Sequence, residues 1–103
     1  MSIYTITLVY SPDEKRITGE DVHRCVGYFN SETEAIKSVE SNEGEMHECR
    51  YDHVIIEEIP EGVWRQALKE SWYVWDADDE AWISCEKPLK YREFATITGF
   101  GMG

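Results

Sequence analysis

The segment WYVWDADDEAWISC, residues 72–85, carries the clearest supersecondary signal in the sequence. Its two arms, residues 72–76 and 81–85, are rich in aromatic and β-branched residues, which favour strands. The residues between the arms, 77–80, are an alanine followed by three acidic residues, a composition typical of an exposed turn. The segment therefore predicts a β-hairpin with its turn at residues 77–80.

Three segments before the hairpin predict further strands of the same sheet. Residues 3–10 place β-forming residues on both faces, which favours an interior position in the sheet. Residues 22–29 alternate between two faces and follow a polar loop, so this strand is expected to run antiparallel to the first. Residues 51–59 contain a β-branched run that ends just before Pro60. Together with the hairpin arms, these segments predict a sheet of about five strands.

The segment SETE, residues 31–34, predicts the start of a helix. It matches a capping box, in which the side chains of Ser31 and Glu34 each accept a hydrogen bond from a backbone N–H of the first turn. A narrow apolar stripe follows, made by Ala35, Ile36 and Val39. Gly44 is placed to end the helix in a left-handed conformation, so we expect a helix of about three turns.

The order β-β-α-β followed by a hairpin predicts an α+β fold, an antiparallel sheet of about five strands with one main helix packed on one face. Residues 63–69 are compatible with one or two helical turns, and residues 89–94 with one more. With the hairpin the order is β-β-α-β-β-β, and residues 95–100 are compatible with an additional edge strand. The chain has 103 residues and is expected to form a single domain, 1–103, because half of it would have too small a core.

Charge is the least ordinary property of the composition. There are 21 Asp and Glu against 10 Lys and Arg, which gives a formal net charge of -11 on a chain of 12.0 kDa. A field of this sign repels DNA, RNA and anionic lipid, so we expect no direct nucleic-acid or membrane binding. It attracts a basic protein surface, such as the groove of a nucleic-acid-binding enzyme, and this is the expected partner. The alternative is that the charge only keeps a small protein soluble.

The cellular location is predicted from what the sequence lacks. No stretch approaches the roughly 18 consecutive apolar residues of a membrane helix, and the N-terminus does not have the pattern of a secretory signal. The cysteines Cys25, Cys49 and Cys85 are odd in number and form no C-x-x-C pair. Reduced thiols and a cytoplasmic location are therefore expected.

Two groups of carboxylates are candidate partner-binding residues. The first follows the middle of the helix and consists of Glu40, Glu43, Glu45 and Glu48. The second surrounds the hairpin turn and consists of Asp76, Asp78, Asp79 and Glu80. If the fold brings both groups to one side, their spaced charges imitate a phosphate backbone and fit a groove lined by Arg and Lys. The alternative is a solvated helix face and an ordinary polar turn.

The hairpin also contains the candidate aromatic anchors. Trp72 and Trp82 are expected to pair across the two arms, while Tyr73 and Trp75 lie on the face opposite Trp72. Partly exposed Trp75 or Tyr73 beside acidic residues would suit a protein-binding hot spot, because such rings bury a large area at small entropic cost. The alternative is a tryptophan-rich core.

The hairpin turn resembles only part of a calcium-binding loop. Asp76, Asp78 and Glu80 are spaced like part of a calcium loop, but Ala81 replaces the required glycine and Lys87 the final glutamate.

The pairs His23-x-Cys25 and His47-x-Cys49 supply ligand types that zinc prefers, but at a spacing that matches no common zinc motif. Core packing is the favoured interpretation of His23 and Cys25, because the face of their strand looks buried. No metal and no cofactor are therefore predicted.

Catalytic motifs are also missing from the sequence. There is no G-x-S-x-G, P-loop, H-E-x-x-H or dinucleotide-binding glycine pattern. Glu57 and Glu58 are adjacent on a predicted strand and point to opposite faces, so they cannot act together as a carboxylate pair. The chain is not expected to be an enzyme.

The functional hypothesis therefore depends on size and charge. In both respects the chain is similar to the small inhibitors that phages and mobile elements encode against host nucleic-acid enzymes, including anti-CRISPR proteins and DNA mimics. This similarity implies an acidic inhibitor or nucleic-acid mimic. Two alternatives stay open: a sensor with an aromatic pocket between the hairpin and the helix, and a structural subunit that assembles by sheet-edge pairing.

Overall fold

The computed structural model describes residues 2–13, 15–43, 51–62 and 66–92. Its helices and strands, in chain order, are β1 Ser2–Tyr10, β2 Val22–Phe29, α1 Glu32–Glu40, β3 His53–Pro60, β4 Lys69–Asp76, β5 Ala81–Cys85 and a 3₁₀ helix Leu89–Tyr91. The strands form one antiparallel sheet in the order β2-β1-β3-β4-β5. The predicted α+β fold is confirmed, and the last strand predicted at residues 95–100 lies outside the described residues.

Helix α1 begins where the capping box predicts. The Ser31 hydroxyl accepts a hydrogen bond from the backbone N–H of Glu34 at 3.4 Å. Within the described part of the chain, the Glu34 carboxylate does not return the bond to Ser31, so only half of the capping box is formed. The acidic residues in the first turn, Glu32 and Glu34, still stabilise the helix, because their charges lie near the positive end of the helix dipole.

The helix ends at Glu40, before the expected glycine. Asn42 adopts the left-handed conformation there, with φ 50°. Its N–H donates to the carbonyl of Val39, and the next N–H, that of Glu43, donates to Ser38, both at 3.0 Å. This is a Schellman motif built on asparagine, which tolerates the left-handed region. Gly44, predicted for this role, lies outside the described residues.

The core consists of two apolar clusters, one on each face of the sheet. The larger cluster lies under α1, and its buried members are Ile6, Leu8, Ala35, Val39, Tyr51, Val54, Ile56, Tyr73 and Trp82. The smaller cluster lies on the other face and consists of Val9, Ile55, Trp72 and Tyr91. Tyr91 belongs to the 3₁₀ helix, so this short element closes part of the second face. No helix among the described residues has the length and apolar character needed to cross a lipid bilayer.

The hairpin register differs from the predicted one. Trp75, and not Trp72, stands opposite Trp82, and the two indoles meet edge to face with centroids 5.2 Å apart. Trp72 stands opposite Cys85 on the other face of the sheet. The predicted Trp72–Trp82 pair is therefore wrong, because the pair that closes the turn is Asp76–Ala81, and counting back from it brings Trp75 level with Trp82.

The segment before the hairpin is less helical than predicted. Residues 66–68 form no helix, and β4 begins at Lys69. The N–H of Leu68 already donates to the carbonyl of Glu58 at 2.8 Å, so pairing with β3 replaces the helical turn. Residues 63–65 of the predicted turn lie outside the described residues. The helical turn predicted after residue 88 is present as the 3₁₀ helix at 89–91.

Candidate functional site

The end of α1 and the tip of the hairpin lie side by side. The indole N–H of Trp82 donates a hydrogen bond to the side-chain oxygen of Asn42 at 3.0 Å. Asn42 immediately precedes Glu43, and Trp82 follows Glu80 by two positions. The described members of the first group, Glu40 and Glu43, therefore lie near the second group at one corner of the molecule. We call this corner the acidic corner and define it by Glu40, Glu43, Asp76, Asp78, Asp79 and Glu80.

Most of the acidic corner is available to solvent. Five of its members have exposed side chains, namely Glu40, Glu43, Asp78, Asp79 and Glu80. Asp76 is half-buried and has a structural role, because its Oδ1 accepts hydrogen bonds from the N–H groups of Asp78 at 2.9 Å and Asp79 at 3.4 Å. Asp76 thus orders the turn, while the carboxylates after it face outward.

The carboxylates of the acidic corner take no part in the ion pairs formed among the described residues. The ion pairs formed within residues 2–13, 15–43, 51–62 and 66–92 use other carboxylates, namely Asp13, Asp21, Glu32, Asp52 and Glu70. None of these pairs includes a member of the acidic corner. Glu45 and Glu48, the other two predicted partner-binding residues, lie outside the described residues.

The two predicted aromatic anchors have different environments. Tyr73 is only 7% exposed and belongs to the cluster under α1. Burial raises the pKa of its hydroxyl, and the carboxylates of Glu40 and Glu32 raise it further. Tyr73 is therefore a core residue, and its predicted role as an exposed anchor is wrong, because α1 covers its face of β4. Trp75 is half-buried against Trp82 and keeps part of its ring at the surface.

A buried polar cluster on the other face of the sheet was missed in the sequence. The Lys90 ammonium lies 2.8 Å from Asp21 Oδ2, with 1% and 4% of the two side chains exposed. The Tyr91 hydroxyl and the Thr18 hydroxyl also donate to this carboxylate, each at 3.0 Å. Burial alone would raise the pKa of Asp21, but hydrogen bonds from Lys90, Tyr91 and Thr18 outweigh it and hold that pKa below its usual value.

Tyr91 extends this cluster into the aromatic core. Its ring stacks on Trp72 with centroids 5.7 Å apart and contacts the edge of His23 at 5.3 Å. Burial raises the pKa of Tyr91 to about 12, with the Asp21 carboxylate contributing to the rise. The phenol therefore stays protonated and acts as a structural donor. No local motif signals this cluster, because its members are about 70 positions apart.

Two open clefts lie beside β5. One has a volume of about 520 Å³ and is lined by both strands of the hairpin, and the other, of about 370 Å³, lies between the 3₁₀ helix and the strand ends. Helix α1 lines neither cleft, whereas the sensor hypothesis places its pocket between helix and hairpin. Within the described residues, Tyr73 and Trp82 fill that space.

The smaller cleft contains residue types used in nucleophilic catalysis. Cys85 and His53 both line it, and the His53 ring nitrogen Nδ1 lies 3.0 Å from Asp52 Oδ1. However, burial raises the pKa of the Cys85 thiol, and the neighbouring Glu86 carboxylate raises it further. A raised pKa keeps the sulfur protonated, which is the opposite of what a cysteine nucleophile requires.

The predicted packing of the first H-x-C pair is wrong. His23 and Cys25 are both exposed, because β2 is an edge strand. The second pair, His47 and Cys49, lies outside the described residues. Among the residues that the structure describes, no three metal-ligating side chains come together.

In comparisons with known proteins, no family model, no curated protein and no solved structure matches the chain.

Proposed function

We propose that this chain is a small acidic protein-binding module, an inhibitor or nucleic-acid mimic that occupies a basic surface of a nucleic-acid-handling protein. The observation that carries the proposal is the acidic corner, where carboxylates from the helix end and the hairpin tip meet and take no part in the ion pairs of the described residues. A net charge of -11 surrounds this corner with a field of the same sign. Arg and Lys side chains that bind phosphates can bind such carboxylates in the same way.

The local structure favours rigid presentation of these charges. The Schellman motif at Asn42 orders the end of α1, and the hydrogen bond from Trp82 ties it to β5. The Asp76 carboxylate orders the turn from within. A backbone ordered in this way loses little conformational freedom on binding, so more of the interaction energy appears as affinity. Trp75, half-buried beside them, is the proposed anchor of the interface.

The experiment compares two variants with the same net charge. Asp78→Lys with Asp79→Lys changes the acidic corner, and Glu20→Lys with Glu61→Lys changes two exposed carboxylates elsewhere. Each pair of substitutions changes the charge by four, from -11 to -7. A basic partner is first captured from host lysate at low salt and purified, and association rates are then measured over a range of NaCl concentrations.

We expect the corner variant to associate roughly tenfold more slowly at low salt and to show a flatter salt dependence, because steering depends on local charge. The control variant should lose much less. Equal rates for the two variants would show that only net charge matters and would remove the acidic corner as the binding surface. Retention of the partner at high salt by both variants would contradict the electrostatic mechanism as a whole.

A further inference from the structure

Strand β2 is an exposed edge of the sheet. It pairs with β1 on one side, and in the described sheet no strand pairs with its other side. Three of its apolar side chains are strongly exposed, with Val22 and Val26 at 45% and Tyr28 at 63%. An edge with accessible backbone groups and apolar side chains is a template for another strand. The opposite edge, β5, is shorter and begins at the acidic corner.

The charge of β2 favours a second copy of this chain as its occupant. The strand contains no Asp or Glu, and Arg24 is its only charged residue unless His23 takes up a proton. Two copies that each carry a charge of -11 repel one another over most of their surfaces. This repulsion is weakest at the β2 edge, because the strand has no carboxylates. Two copies can therefore approach each other most easily through β2.

His23 and Cys25 occupy one face of this edge. They pair with Val9 and Thr7 of β1, and residues two apart on a strand point the same way. Both side chains are exposed. The Cys25 sulfur lies 3.7 Å from the carbonyl oxygen of Gly27. The strand thus presents one imidazole and one thiol, about 7 Å apart along the chain.

We propose that two copies pair antiparallel through β2 about a two-fold axis at Arg24 and together bind one zinc ion. In this register His23 of each copy stands opposite Cys25 of the other, and the four side chains share one face. Facing side chains in an antiparallel pair have Cβ atoms about 4.5–5.5 Å apart. Imidazole and thiolate groups at that spacing can reach a common zinc ion at about 2.0–2.3 Å, in the tetrahedral Cys₂His₂ arrangement. Each half-site is incomplete without the second copy.

The surroundings of His23 suit a zinc ligand. A ring nitrogen of a neutral imidazole can donate its lone pair to a metal. The edge contact with Tyr91 limits the orientations of the ring. Cysteine binds zinc as the thiolate, so any proton on the Cys25 sulfur passes to solvent when the metal binds.

Arg24 makes this pairing depend on the metal. In the proposed register the two Arg24 side chains face each other on the opposite side of the sheet from the zinc ion. Like charges placed directly opposite destabilise an antiparallel pair, and a charged residue on an edge strand discourages pairing. We therefore expect monomers without zinc and dimers with it. This inference does not depend on the proposed function.

The test is a titration of the full chain with zinc chloride after removal of metals with EDTA, followed by sedimentation. We expect monomers in EDTA and a dimer that saturates at one zinc ion for two copies. Cobalt(II) in place of zinc should give the visible absorption of a tetrahedral thiolate site. Cys25→Ser or His23→Gln should weaken metal-dependent dimerisation by more than roughly a hundredfold. Arg24→Ala should strengthen it.

Matched controls use the other thiols of the chain. Cys85→Ser, and His47→Gln combined with Cys49→Ser, should keep the zinc-dependent dimer. Circular dichroism in EDTA establishes that each variant is folded, which is expected for His23 and Cys25 because both are exposed. Dimerisation of equal strength in EDTA, zinc binding by monomers, or an unchanged dimer in Cys25→Ser would each overturn the proposal.

Discussion

The Lys90 ammonium is buried with an oxygen partner for each of its protons. It contacts Asp21 Oδ2 at 2.8 Å, the carbonyl of Arg16 at 3.0 Å and the carbonyl of Asp13. A buried ammonium is costly unless it is paired and all of its donors are satisfied, and here both conditions hold. Through these bonds Lys90 connects the 3₁₀ helix to the loop between β1 and β2.

Replacing Lys90 should be strongly destabilising. In Lys90→Met the buried Asp21 carboxylate loses its cation, and we expect the free energy of unfolding to fall by about 3–5 kcal/mol. Arg16→Met is the control, because the Arg16 side chain is 80% exposed in its ion pair with Asp13 and an exposed ion pair adds little to stability. Urea unfolding of both variants measures the difference. A loss in Lys90→Met no larger than that in Arg16→Met would contradict the structural role of this pair.

At the scale of the elements, helix α1 depends on contacts outside itself. It has nine residues and only half of a capping box, and isolated helices of that length are marginal in water. Packing of Ala35 and Val39 against the sheet supplies what the local sequence lacks. Its last turn is positioned by Asn42, which combines a left-handed backbone with a side-chain bond to Trp82.

Two substitutions separate these roles of Asn42. Asn42→Gly keeps the left-handed backbone but removes the bond to Trp82, and it should lower the free energy of unfolding by about 1 kcal/mol. Asn42→Ala also removes this bond but keeps a Cβ at positive φ without the amide that helps asparagine tolerate that conformation, and it should cost about 1–2 kcal/mol more than glycine. Thermal and urea unfolding measure both. If glycine and alanine are equally destabilising, the left-handed conformation of this residue contributes nothing.

At the scale of the whole molecule, excess negative charge acts on stability as well as on partners. The molecule measures 39 × 30 × 21 Å, and its net charge is -11. At an ionic strength of about 0.01 M the screening length is about 30 Å, so carboxylates across the whole fold repel one another. Near 0.15 M it falls to about 8 Å, and only close neighbours interact.

Added salt should therefore stabilise this protein. Between about 0.01 M and 0.15 M NaCl we expect a gain of about 1 kcal/mol, which corresponds to a rise in Tm of roughly 4–8 °C for a domain of this size. The variant with Asp78→Lys and Asp79→Lys should show a smaller rise, since it has less repulsion to screen. A Tm that falls with salt would mean that surface ion pairs outweigh the net repulsion.

Local sequence was sufficient to predict the helix and the strands, but it did not predict the burial of several side chains. Alternating β-formers, the capping serine and the polar turn each act within a few residues, and they predicted five strands, one helix and the α+β class. The hairpin register was within reach too, because the turn at 77–80 already requires Trp75 to face Trp82. The two groups of carboxylates were also evident from the sequence, whereas their meeting at one corner was not.

By itself, then, the sequence determined the class of fold, the positions of its strands and the surplus of negative charge. Only the tertiary structure decided that Tyr73 is covered, that His23 and Cys25 are open, and that Lys90 is buried against Asp21. The physical reason is the range of the interactions. Propensity and turn chemistry act between neighbours, whereas burial depends on which distant segment covers each face of the sheet, and here the contacting residues are up to 77 positions apart.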